Sequence, residues 1–138
     1  MPEDEVRPGG PEAGLEATVQ QVVTHAMTAR ALGSGDVPVL ATPAVLALAE
    51  RASCLALRGR IGGEDTSVGS WTELSHLAPT VPGATVTATA RLVEVDGRRL
   101  TFQVEVRDGT GKIATARHGR VVVRRERFLR AASRRAGG

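Results

Sequence analysis

The chain has 138 residues, 41% apolar and 24% charged, which bounds it to one soluble globular domain with a modest core. Two Phe, one Trp and no Tyr provide no stacking platform for single-stranded nucleic acid, and a net charge of +3 is too mild for a general nucleic-acid field, though it suits anionic ligands. The single cysteine, Cys54, excludes an internal disulfide, no apolar run is long enough to span a membrane, and the acidic, Pro/Gly-rich start is no signal peptide, so a cytoplasmic protein is expected.

Residues 1–14 (MPEDEVRPGGPEAG) have little to bury and read as a disordered tail ahead of a domain at 15–130. Residues 15–24 (LEATVQQVVT) are β-branched enough for a first strand, and LGSGDVP at 32–38 is a loop by composition. The segment VLATPAVLALAERA at 39–52 opens a buried helix, with Thr42 expected at the N-cap and Pro43 at the first helical position. Ala44, Leu48, Ala52 and Leu55 follow a helical stripe, with Val45, Ala49 and Ala56 beside it. The glycines of RGRIGGED at 58–65 end it.

The remainder reads as an antiparallel meander of four strands, at 66–77, 84–95, 100–107 and 112–123. Val86, Ala88, Ala90 and Leu92 share one face of the second, and Leu100, Phe102, Val104 and Val106 one face of the third. Asp-Gly pairs at 96–97 and 108–109 mark the turns between them. The ending RRERFLRAASRR predicts a short basic helical turn before a basic tail at 131–138. One helix with a sheet wrapped around one side buries both apolar faces, and edge-to-edge pairing in a homodimer would cover an exposed strand.

Few residues stand out for chemistry. A carboxylate on a buried helix is costly unless paired, so Glu50 is either an acid–base group or a rim residue paired with Arg51 or another arginine. The pattern alone favours the rim, since charged residues are mostly exposed. Thr42 reads first as a helix cap. His76 points the same way as Leu74 on its strand, and a lone histidine there is more often structural; nothing in the sequence distinguishes His25 or His118. Cys54 reads as a small buried hydrophobe. No ligand spacing for a metal and no nucleotide-loop or nucleophile-elbow motif is present, so neither metal nor bound cofactor is expected.

The combination of VLATP…E at 39–50, TSVG at 66–69, HLAPTVPG at 76–83, VDGRRLTFQVEV and the terminal HGRVVV…RF is far more specific than its parts. Over residues 15–128 it resembles the hot-dog-fold thioesterases similar to fluoroacetyl-CoA thioesterase. That resemblance implies an α+β hot-dog fold, about five antiparallel strands around one central helix, dimerising edge to edge. It implies a catalytic set of Thr42, Glu50 and His76, with Gly69 and Arg120 contributing to the substrate site. Glu50 would be the nucleophile or the base activating water, His76 would shuttle protons or orient the carbonyl, and Thr42 would hydrogen-bond the carboxylate or the reacting group. The Gly69 N–H would face the oxyanion, and Arg120 would hold an anionic part of the substrate.

Gly69 and His76 lie seven positions apart on one strand, about 23 Å, so one small site needs a second subunit. The expected function is hydrolysis of a short- or medium-chain acyl-CoA to the acid and free CoA. The lid ahead of the ATP element lacks the phenylalanines associated with the fluoroacetyl-specific enzyme, so strong fluoroacetyl selectivity is not expected. ARHGR at 116–120 also departs from the family pattern. Two other classes remain: a non-catalytic acyl-CoA or small-ligand binding module on the same fold, and a nucleic-acid contact through the terminal arginines.

Overall fold

A computed structural model of the chain describes residues 10–137. Of the tail expected at 1–14, residues 1–9 lie outside the described residues. Five strands form one sheet: β1 (Glu16–Val22), β2 (Asp65–His76), β3 (Thr85–Asp96), β4 (Arg99–Asp108) and β5 (Gly111–Arg124). Between β1 and β2 come a 3-10 turn (His25–Met27), a four-residue helix α1 (Ala29–Leu32) and the central helix α2 (Thr42–Ala56). A terminal helix, α3 (Arg125–Gly137), follows β5 and runs 13 residues, longer than the short turn expected.

The sheet order is β1-β3-β4-β5-β2, with every neighbouring pair antiparallel. The meander therefore holds only for β3, β4 and β5. β2 does not lie beside β3, its successor in sequence, but against β5 at the far end, which makes it an edge strand. Loop 77–84 must cross the sheet for this, and alternation within β2 carries no trace of which strand it will meet.

Alternation does explain the core. Val86, Ala88, Ala90 and Leu92 of β3 and Leu100, Phe102, Val104 and Val106 of β4 are all buried on the face that α2 covers. Two-residue turns close the hairpins, Gly97–Arg98 with Gly97 at φ 60° and Gly109–Thr110 with the Asp108 carboxylate accepting from Thr110 N and Gly111 N. From α2, Ala44, Val45, Leu48, Ala49, Ala52 and Ala56 are buried, and the alanines allow close approach of helix to sheet. Leu55 is only half-buried, and Ser53 takes a core position by returning its hydroxyl hydrogen to Ala49 O at 2.8 Å.

The start of α2 differs from the expected cap by one residue. Ala41 is the N-cap, Thr42 is the first helical residue, Pro43 lies in the first turn, and no side chain caps the helix. Proline in that turn still forgoes no intrahelical hydrogen bond. The shift releases the Thr42 hydroxyl from capping.

Candidate active site

Glu50 sits on the flank of α2 that looks toward β2 and β5, with its side chain 41% exposed. Its Oε2 accepts from Arg120 Nη1 at 3.3 Å and lies 3.8 Å from His118 Nε2. Arg120 is buried and engaged at every nitrogen: Nε donates to Ser67 Oγ at 2.9 Å, Nη2 to Ser67 O at 3.1 Å, and Nη1 to His118 Nε2 at 3.0 Å. A buried guanidinium held this way is stable only with a counter-charge, which Glu50 supplies. Arg51 is not that partner, because its guanidinium turns to Gln21 Oε1 at 3.2 Å. The carboxylate fits because residue 69 is glycine: a Cβ there would stand 2.5 Å from Glu50 Oε2.

Thr42, at the start of α2, and His76, at the end of β2, form a second cluster. Thr42 Oγ1 and His76 Nδ1 are 2.9 Å apart, while His76 Nε2 is buried with no hydrogen-bond partner among the described residues. Eight positions of helix separate Thr42 from Glu50, about 12 Å. Thus the five residues singled out by resemblance fall into two groups within one chain, Glu50–Gly69–Arg120 and Thr42–His76.

A β-bulge puts both groups on the same face. Residues seven apart on a regular strand point to opposite sides of the sheet. In β2 the register with β5 shifts between Gly69 and Trp71, leaving Ser70 as the extra residue. Ser67 and Gly69 face the helix before the bulge, and Thr72, Leu74 and His76 face it afterwards. Ser70 and Trp71 share the outer face, Ser70 Oγ donating to Gly119 O at 3.1 Å and the Trp71 ring lying over Gly119. Gly119, whose Cβ would collide with that ring, is thereby explained as well.

His118 is the residue that the sequence did not single out. It is 1% exposed, between Thr72, the Trp71 carbonyl and Arg120. Arginine has no acceptor, so His118 Nε2 must accept from it, leaving the proton on Nδ1, where Trp71 O lies 3.0 Å away and Thr72 Oγ1 2.7 Å. Burial holds the imidazole below its ordinary pKa; the Trp71 hydrogen bond opposes this, the Arg120 charge reinforces it, and Glu50 opposes it. His118 is therefore a neutral strut for Arg120. Only its place in the alternation with buried Ala116 and Ala114 could have signalled that it points inward.

Cys54 lies one turn beyond Glu50 and is exposed, not buried as expected. It faces a groove of about 240 Å³ between α2 and β2, lined also by Leu57, Ile61, Asp65, Thr66 and Ser67, rather than the sheet. Among the described residues no group of three His, Cys, Asp or Glu side chains is placed to hold a metal ion, and no helix is long and apolar enough to cross a membrane.

This chain is similar to proteins of known family. The family described as FlK, fluoroacetyl-CoA-specific thioesterase, matches residues 23–126. The chain belongs to the FlK thioesterase family. The fluoroacetyl-CoA thioesterase of Streptantibioticus cattleyicolor is 38% identical to it over 90 residues, a stretch covering 65% of this chain and 65% of that protein, so the match spans just under two thirds of the relative. A solved structure of the fluoroacetyl-CoA thioesterase FlK aligns with a TM-score of 0.85 and 32% identity over 91% of this chain and 97% of that one. A Thermus thermophilus thioesterase superfamily member aligns at 0.83 with 29% identity over 96% and 100% of the two chains. A hot-dog-like protein from Thermanaerovibrio acidaminovorans aligns at 0.85 with 26% identity over 94% and 96%. The five antiparallel strands around a central helix are the hot-dog fold of this FlK-family chain.

Proposed function

We propose that this protein hydrolyses a short- or medium-chain acyl-CoA thioester to a carboxylic acid and free CoA, at a site completed by a second copy of the chain. The observation that carries the proposal is the division of the five residues into two groups beside the free edge of β2, Glu50–Gly69–Arg120 and Thr42–His76. A two-fold axis through the middle of β2 would pair that edge with its copy. It would also set Glu50 and Gly69 of one protomer opposite Thr42 and His76 of the other. The unpartnered His76 Nε2 supports this, since a buried ring nitrogen needs a partner and the described residues of one chain offer none. Solved structures of FlK variants hold fluoroacetate and CoA in one case and acetyl-CoA in another.

In this reading Glu50 attacks the thioester carbonyl, expelling the CoA thiolate and leaving an anhydride that water hydrolyses to the acid, or it takes the proton from a water that attacks the carbonyl directly. Its carboxylate is positioned by Arg120, which serves the substrate through Glu50, because every guanidinium nitrogen is already committed. The Gly69 backbone N–H faces the developing oxyanion, where a side chain would intrude. His76, held by Thr42, gives a proton to the departing CoA thiolate. Residues 32–38 (LGSGDVP) have no aromatic side chain to close over a small acyl group, so the protein shows no strong fluoroacetyl preference.

Thiol release from a panel of acyl-CoA esters tests the proposal. At least one short or medium ester should be turned over, with Glu50→Gln losing most of the activity. Binding of acyl-CoA without thiol release would instead identify a non-catalytic binding module, and unchanged turnover in Glu50→Gln would remove Glu50 from the chemistry.

A further inference from the structure

The structure has a second candidate site, away from Glu50 and His76. We propose that the cavity between α3 and the end of β5 binds the nucleotide end of a coenzyme A thioester, its adenosine 3′-phosphate 5′-diphosphate. This rests on the acyl-CoA reading above and extends it to the other end of the substrate.

The cavity measures about 370 Å³ and is lined by Arg98, Val122, Arg124, Arg127 and Phe128 among others. Three guanidiniums around one opening suit phosphate oxygens, which arginine binds through paired N–H donors. Phe128 contributes an aromatic face, 42% exposed, on which a purine can stack. The arginines are arranged rather than merely crowded. Asp65, whose side chain is 22% exposed, lies 3.6 Å from Arg98 Nη2 and 3.9 Å from Arg124 Nε. Arg98 Nη1 also donates to Val122 O at 3.1 Å. Arg127 has no carboxylate within ion-pair distance among the described residues, so the cluster of three arginines and one aspartate keeps a positive excess.

α3 contributes nothing to the core, having no buried residue, and carries Glu126 against Arg125, Arg127, Arg130, Arg134 and Arg135. Its apolar Phe128 and Ala131 line the cavity instead. A basic helix that adds no residue to the core and sets one aromatic ring beside three arginines suits an anionic ligand with one flat apolar part.

The location fits the substrate's length. Arg120, which holds Glu50, and Arg124 are four positions apart on β5, about 13 Å. An extended pantetheine arm reaches about as far as four or five residues of extended chain, on the order of 15 Å. The groove of Cys54, Thr66 and Ser67 lies along that path: Ser67 binds Arg120 at one end, and Asp65 lies within ion-pair distance of Arg98 and Arg124 at the other.

Two measurements on the full chain decide the matter, each with Arg127→Glu and Phe128→Ala, which lie on a helix with no buried residue and are checked by a thermal melt for retained folding. In the first, kcat/KM is compared for an acyl-CoA and for the corresponding acyl-pantetheine, which lacks the nucleotide. The wild-type preference for the CoA ester should fall about tenfold in each variant, chiefly through KM, as expected for loss of a charge-assisted contact or a stacked ring. In the second, calorimetric binding of adenosine 3′,5′-bisphosphate should weaken by a similar factor. A preference and an affinity both unchanged in Arg127→Glu and Phe128→Ala would overturn the proposal. So would binding of an RNA or DNA oligonucleotide that the bisphosphate fails to displace. If no acyl-CoA is hydrolysed, the catalytic reading fails, while the calorimetry still decides this site by itself.

Discussion

Replacing Gly69 by alanine adds a single methyl group, and the geometry specifies where it goes. The new Cβ would stand 2.5 Å from Glu50 Oε2, 3.3 Å from His118 Cε1 and 3.4 Å from Arg120 Nη1. The last two are near contact and need little adjustment. The first is about 1 Å inside van der Waals contact. Oε2 is the far end of a side chain that is 41% exposed, so the carboxylate can swing outward while the backbone stays in place. Folding should survive, with a Tm shift of no more than about 2–4 °C. Catalysis should not, because displacing a reacting group by about 1 Å costs on the order of 100-fold, or about 2.7 kcal/mol of transition-state stabilisation. Thiol release from acyl-CoA, with kcat and KM measured separately beside a thermal melt, gives both quantities. An alanine variant that melts like the wild type and keeps kcat/KM within twofold would show that the Glu50 carboxylate is not where the chemistry occurs.

Other consequences can be tested on the same protein. Copies carrying Glu50→Gln and copies carrying His76→Ala should each be nearly inactive, yet co-refolded together they should recover about a quarter of wild-type turnover, since half the dimers are mixed and each has one intact site; no recovery would place the whole site within one chain. Deleting Ser70 removes the bulge and turns either Gly69 or His76 to the outer face, so activity should fall by at least about 100-fold. Ser70→Ala keeps the extra residue, loses only the bond to Gly119 O, and should retain most turnover, with about 1 kcal/mol lost from stability. Because the His118 pKa is lowered in the folded protein, the unfolded chain takes up a proton there first as the pH drops. The stability associated with neutral His118 is therefore complete above about pH 6.5 and declines as the pH falls below it toward the folded pKa. Denaturant melts between pH 8 and pH 5 should show that decline in the wild type and a weaker one in His118→Asn; parallel curves would refute the assignment of His118 as buried and neutral.

Much of this protein is written locally. The two-residue period of β3 and β4 determines which side chains enter the core, because a pleated strand has only two faces and the apolar residues occupy one of them. The alanine-rich stripe of α2 and the Asp-Gly turns are local in the same sense, while Thr42, Glu50, His76, Gly69 and Arg120 stand out only through the resemblance to a family. What the tertiary structure decided was how these pieces meet. Strand order came from packing between segments distant in the chain, so β2 lies against β5 and not β3. The bulge at Ser70 came from pairing with β5, and it alone places Gly69 and His76 on one face despite their odd spacing. The helix starts one residue earlier than local pattern predicts, with Ala41 as N-cap, and the Thr42 hydroxyl therefore meets His76 instead of capping the helix. His118, unremarkable in the sequence, gained its role only when burial and Arg120 fixed its proton. Each is a property of long-range pairing and desolvation, which depend on neighbours that no local pattern names.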